Sequence, residues 1–106
     1  MDSQNSKLLH CLSAGCDQST LEGIAELAAA LTPISEMAAL LGLDEDALRL
    51  AVNDKTSAVR SVYLKAKAQT ALSLRQQEIE LAHVGSPLAV QLTSEYLRDM
   101  TAEEDL

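Results

Sequence analysis

From Ala58 to Val84 no proline or glycine interrupts the chain, and apolar residues recur at steps of three and four. At about 100° per residue, Val59, Tyr63, Ala66, Thr70, Leu74, Gln77, Leu81 and Val84 fall on one stripe, close to a heptad seam. The spacing predicts one helix of about 27 residues, far beyond the usual three or four turns. Leu64, Ala68, Ala71, Leu72, Ile79 and Ala82 form a second, separate apolar stripe. A single antiparallel neighbour cannot cover both stripes, so two packing partners are implied. The second is either another subunit, which makes the long helix a candidate for self-association, or the rest of the same chain folded back as one monomeric domain.

Composition supports an all-α fold. Leu and Ala supply 35 of the 106 residues while Val and Ile supply 8, and Phe and Trp are absent, so strand-favouring residues are scarce. A core built from Leu and Ala without large rings requires close helix packing.

The helix punctuation divides the chain further. Residues 1–18 hold no sustained period and are expected to form a flexible arm. Ser19 and Glu22 have capping-box spacing, and Leu21, Ile24, Ala25, Ala28 and Leu31 repeat at helical intervals up to Thr32 and Pro33. Thr32 is the expected cap of a second helix, with Pro33 at its first position, running to Leu41. Gly42 supplies a left-handed turn and Asp44 caps a third helix through about Val52. Thr56 or Ser57 caps the long helix. Gly85 ends it, Ser86 caps and Pro87 opens another helix carrying Leu88, Leu92, Tyr96 and Met100. The expected organisation is an arm (1–18), a three-helix helix-turn-helix unit (19–54), an antiparallel helical hairpin (55–100) and a solvated acidic tail (101–106).

The stretch from Ile34 to Val52 has helix-turn-helix spacing. Ala38 is small where two helices cross, Gly42 permits the sharp turn, and Met37, Leu41, Leu43, Leu48 and either Ala51 or Val52 form the shared interior. In such a unit the start of the third helix enters the DNA major groove. Here that start reads Asp44, Glu45, Asp46, which repels phosphate or else serves only to cap the helix and complement its dipole.

The net charge is -8, but residues 49–75 hold six bases against one acid. Arg49, Lys55, Arg60, Lys65 and Lys67, with Arg75 beyond them, are therefore the candidate phosphate-contacting set. Helical phase spreads them: Lys65 points about 140° from Arg60. The competing reading is a solvated face that pairs with acidic ends of a neighbouring subunit.

Two histidines, His10 and His83, stand in settings that assemble no nucleophile or general base, and an enzyme is not expected. His10, Cys11 and Cys16 lack the spacing of a zinc knuckle and are read as incidental, the cysteines as free thiols rather than one short disulfide loop. No metal or other cofactor is implied. The start of the chain has no secretory pattern and no apolar run reaches a membrane span, so a cytoplasmic protein without membrane partners is the expectation.

The turn Leu41-Gly-Leu-Asp-Glu, the run Tyr63-Leu-Lys-Ala-Lys-Ala, the segment Leu74-Arg-Gln-Gln-Glu-Ile-Glu-Leu-Ala and the turn Gly85-Ser-Pro-Leu-Ala together resemble phage terminase small subunits and related prophage or mobile-element proteins, over roughly residues 20–100. The resemblance implies a non-enzymatic DNA-packaging factor in which helix-turn-helix units recognise viral DNA, hairpins assemble subunits into a ring, and the carboxyl end engages a large motor subunit. The alternative is a protein-interaction module that keeps the helix-turn-helix fold without DNA binding.

Overall fold

Helix ends set the course of this chain, because its interiors are all built from similar residues. The computed structural model describes residues 17–104, and every regular element among them is an α-helix: α1 Gln18–Ala29, α2 Ile34–Leu41, α3 Glu45–Asn53, α4 Ala58–His83 and α5 Pro87–Glu104. None of these helices is long and apolar enough to cross a membrane. His10, Cys11 and Cys16 lie outside the described residues.

Three helices finish in the same way. After α1 the amide of Thr32 donates to the carbonyl of Leu27 (3.0 Å), after α2 that of Leu43 donates to Ala38 (2.9 Å), and after α4 that of Ser86 donates to Leu81 (3.1 Å). Each is the six-to-one bond of a Schellman ending, and each spans one left-handed residue. Gly42 (φ 70°) and Gly85 (φ 95°) take that conformation freely, whereas the third position is Leu31 at φ 60°. An L-residue there bears a cost of about 1–2 kcal/mol from its Cβ against the following carbonyl.

Helix starts correct the sequence reading in detail. The cap of α1 is Asp17 rather than Ser19: its carboxylate accepts from the Ser19 amide (3.3 Å) and the Ser19 hydroxyl (3.1 Å), so the capping box with Glu22 does not form. A carboxylate at a helix amino end has both lone pairs and charge in its favour over a hydroxyl. Asp17 and Gln18, assigned to the arm, therefore belong to α1. The start of α2 shifts by one: Pro33 is extended (ψ 153°) and stands at the cap, its carbonyl taking the first bond from Met37, and Thr32 does not cap. Asp44 caps α3 by accepting from the Ala47 amide (2.9 Å), and the buried Ser57 hydroxyl caps α4 by accepting from the Val59 amide (3.0 Å). Ser86 does the same for α5 through Ala89 (3.3 Å). The stretch 101–104, expected as a solvated tail, continues α5 as exposed helix because Ala102 and two glutamates extend it without a break.

Two compact units divide the chain, one reaching Thr70 and one beginning at Ala71, so the boundary falls inside α4. In the first, Ile24, Met37, Leu48 and Val59 are fully buried and are surrounded by Ala28, Ala38, Ala51, Val52 and Ala66. Both Ala51 and Val52 face inward. Gly23 permits the closest approach of α1 to α2, since a Cβ there would stand 2.8 Å from a methyl of Leu41. The Thr70 hydroxyl donates to the Ala29 carbonyl (2.6 Å), joining α4 to the end of α1.

In the second unit Ala89 is buried, Leu92, Thr93 and Tyr96 are half-buried, and Leu88 and Met100 point to solvent. The expected stripe of Leu88, Leu92, Tyr96 and Met100 is thus corrected: repeated steps of four drift by about 40° each, which turns its two ends away from a common face. The α4 seam likewise holds at Val59, Tyr63, Ala66 and Thr70 but not at Leu74, Gln77, Leu81 and Val84, which are exposed. Beyond Thr70 it is Ala71 and Ala82, from the second stripe, that are half-buried.

Leu48 and Leu31 mark opposite ends of the energetic range. Leu48→Ala should lower the urea-unfolding free energy by about 2–5 kcal/mol. Leu31→Gly should raise it by about 0.5–1 kcal/mol, the relieved left-handed strain exceeding the entropy gained by the unfolded chain. A loss of stability in Leu31→Gly would contradict the ending described for α1.

Candidate nucleic-acid interface

The basic residues of 49–67 start from different elements and arrive in different environments. Arg49 sits in the middle of α3, one turn after Glu45, and donates from Nη2 to Glu45 Oε2 at 2.7 Å. Both side chains remain about half exposed (49% and 48%), so the pair is a surface contact of small energy. Its electrostatic effect is local: with Asp44, Glu45 and Asp46 exposed around it, the one cation of α3 is neutralised by its own helix.

Arg60 is drawn inward. Nη1 donates to the Val52 carbonyl at 2.9 Å, across the Asn53–Ser57 break, and supplies a cation at the carboxyl end of α3. This contact ties α4 to α3 and uses part of the guanidinium that a phosphate would need. Asn53 adds a side-chain donor to the Arg49 carbonyl (3.0 Å), one turn back within α3.

Between these arginines the connection is held by an Asx turn. Asp54 Oδ1 accepts from the Thr56 amide (3.0 Å) and from its hydroxyl (2.8 Å). These two bonds hold the Asp54 carboxyl below the ordinary aspartate value, the backbone bond having the larger effect. Lys55, at the exposed tip of the turn, makes no ion pair among the described residues. The same holds for Lys65 and Lys67, both exposed on α4; Lys67 Nζ lies 5.8 Å from the centre of the Tyr63 ring, within cation–π range.

Helical phase keeps this set from converging. Lys67 lies on the Arg60 side of α4 and Lys65 lies about 160° from Lys67, nearly opposite. Arg75 belongs to the second unit. The helix-turn-helix positions named from the sequence are brought together: Met37, Ala38 and Leu48 are buried, Leu41 and Leu43 are half-buried, and Gly42 makes the left-handed turn between α2 and α3.

Three features escaped the sequence reading. The Glu45–Arg49 spacing of four is itself a signal of pairing and was available. The Arg60–Val52 contact had no local signal, because it depends on how the chain turns between helices. Leu50, 69% exposed on α3, is the third: it lies about 160° around the helix from the buried Leu48 and leaves an apolar spot amid the acids.

Among the described residues no cluster of three or more His, Cys, Asp or Glu side chains is arranged to hold a metal ion. In comparisons with known proteins, no family model, curated protein or solved structure matches the chain.

The Asx turn gives a pH signature. Because the folded-state carboxyl of Asp54 is depressed, its contribution to stability is present above the unfolded aspartate value and is lost as pH falls through the lower folded value. Carboxyl-detected NMR should therefore place the Asp54 midpoint below the ordinary aspartate range, and Thr56→Ala should raise it part of the way, because the hydroxyl is lost while the backbone amide, the larger cause, remains. An unchanged midpoint in Thr56→Ala would remove the hydroxyl as a cause of the depression.

Proposed function

We propose that this chain is a non-enzymatic DNA-binding adaptor of the phage small-terminase kind. In this reading α1–α3 form a helix-turn-helix unit, and α4–α5 form an antiparallel hairpin through which copies associate. The observation that carries it is the α2–Gly42–α3 turn: a left-handed glycine between two helices whose inward residues share one core, with Lys55 just past the end of α3 and Lys65 and Lys67 on α4, all three without acidic partners among the described residues. The resemblance noted above supplies the packaging context and the expectation of a large motor subunit as partner.

Binding here is driven by phosphate contacts rather than by base reading. The amino end of α3 is acidic and Arg49 is paired, so the groove-entering positions of this unit carry no free donor suited to a guanine edge. Lys55, Lys65 and Lys67 supply charge without a fixed fork, which gives contacts that are independent of sequence and sensitive to salt. Arg49 adds a further contact once Glu45 is displaced, and Arg60 contributes through the donors that Val52 leaves unused.

A second reading has its own support. The exposed Leu50, one turn after Asp46 on a helix whose amino end is acidic, suits a basic, apolar protein surface better than a polyanion, which favours an interaction module without DNA binding.

Anisotropy titration with mixed-sequence duplex DNA separates the two. With three to five phosphates contacted, the slope of log affinity against log salt should be about -3 to -4.5. Lys55→Glu combined with Lys65→Glu should weaken binding by at least about tenfold, with little preference among sequences. Silence toward DNA at low salt would retire the adaptor reading in favour of the interaction module.

A further inference from the structure

The second unit carries a surface that DNA binding leaves unused. Leu72 and Ile79 of α4 and Tyr96, Leu97 and Met100 of α5 line a half-open groove of about 550 Å³. Its apolar walls are exposed to a degree that needs explanation, since Leu97 and Met100 are 65% and 62% accessible. Contiguous apolar surface rimmed by polar residues marks an interaction site more often than it marks ordinary protein surface.

Shape and charge together select the occupant. Along α5 the lining runs from Thr93 to Glu103, roughly 15 Å or three helical turns. A long shallow trough receives the side-chain row of a helix better than it encloses a small molecule. On the α5 wall stand Asp99 and Glu103, one turn apart, neither in an ion pair among the described residues. The charged lining is Arg75 on the α4 wall against Asp99 and Glu103 on the α5 wall, a net negative charge concentrated on α5, and residues 71–104 as a whole hold six acids against Arg75 and Arg98.

We infer that the groove is a docking site for an amphipathic helix of a partner protein, one whose apolar stripe is flanked by lysine or arginine. Two or three aliphatic residues at helical spacing fill the trough, and cations one turn apart meet Asp99 and Glu103. Every residue involved lies in α4 from Leu72 onward or in α5, so the inference stands apart from the DNA contacts, and it requires that any association of copies through the hairpin use other exposed residues, such as Leu74, Leu81 and Val84.

The probe is a fluorescent Leu/Lys peptide of about four turns with its leucines on one face, titrated against the whole chain beside two controls: a scrambled peptide of the same composition, and one with Glu in place of Lys. The amphipathic Lys peptide should bind at least about tenfold more tightly than either control, with methyl shifts confined to the groove. Leu97→Asp with Met100→Asp should remove that advantage without changing the far-UV circular dichroism, both side chains being exposed. Asp99→Lys with Glu103→Lys should transfer the preference to the Glu peptide. Equal binding of the scrambled peptide would reduce the effect to general charge attraction and overturn the inference, as would absence of binding. Sedimentation showing a dimer that Leu97→Asp dissociates would overturn it also, by assigning the groove to a second copy.

Discussion

Burial of α3 is the constraint on which the first unit depends. A helix of nine residues is too short to persist alone in water, so its existence rests on Leu48, Ala51 and Val52 entering a core shared with Ile24, Met37 and Val59. Everything that holds α3 there follows from the same need. Gly42 turns the chain back sharply enough for α3 to reach α2, Asp44 satisfies an amide at one end, and Arg60 satisfies the Val52 carbonyl at the other. Small residues do the rest: Ala28, Ala38, Ala51 and Ala66 let helices approach where larger side chains would hold them apart, which is how this core closes without Phe or Trp.

How much of this was legible depended on whether the signal was local. Gly42 and Gly85 announce their turns because glycine alone takes the left-handed position without cost, and Asp44, Ser57 and Ser86 announce helix starts because a short polar side chain caps by reaching its own backbone. Leu31 makes the same turn as the two glycines and gives no sign of it, since the bond from Thr32 to Leu27 and the packing of Ile24 and Ala28 impose a conformation that its own side chain resists. The first cap was misplaced by two residues because Ser19 and Asp17 are both good caps and only the fold chooses between them. Within α5 the pattern misled for a geometric reason, a repeat of four being mistaken for a stripe.

The candidate site was legible as composition and not as geometry. A run of bases from Arg49 to Lys67 is plain in the sequence, yet in the fold Arg49 is paired with Glu45, Arg60 holds Val52, and Lys65 and Lys67 face nearly opposite ways. The arginines thus serve the helix junction first, and the lysines remain as mobile charge. On the proposed reading, this division favours weak, salt-sensitive contact per chain. The acidic, apolar second unit is of a different character, and its exposed leucines ask for a protein partner rather than a polyanion.

On the proposed reading, the α3–α4 turn with Lys55 and the side of early α4 that carries Arg60 and Lys67 contact phosphate. Amide chemical-shift mapping of the intact chain with a mixed-sequence duplex at low salt tests it most directly. The account predicts perturbations clustered between Arg49 and Lys67, fading as salt is raised, with residues beyond Ala71 unmoved. Shifts confined to α5, or none at all, would contradict it.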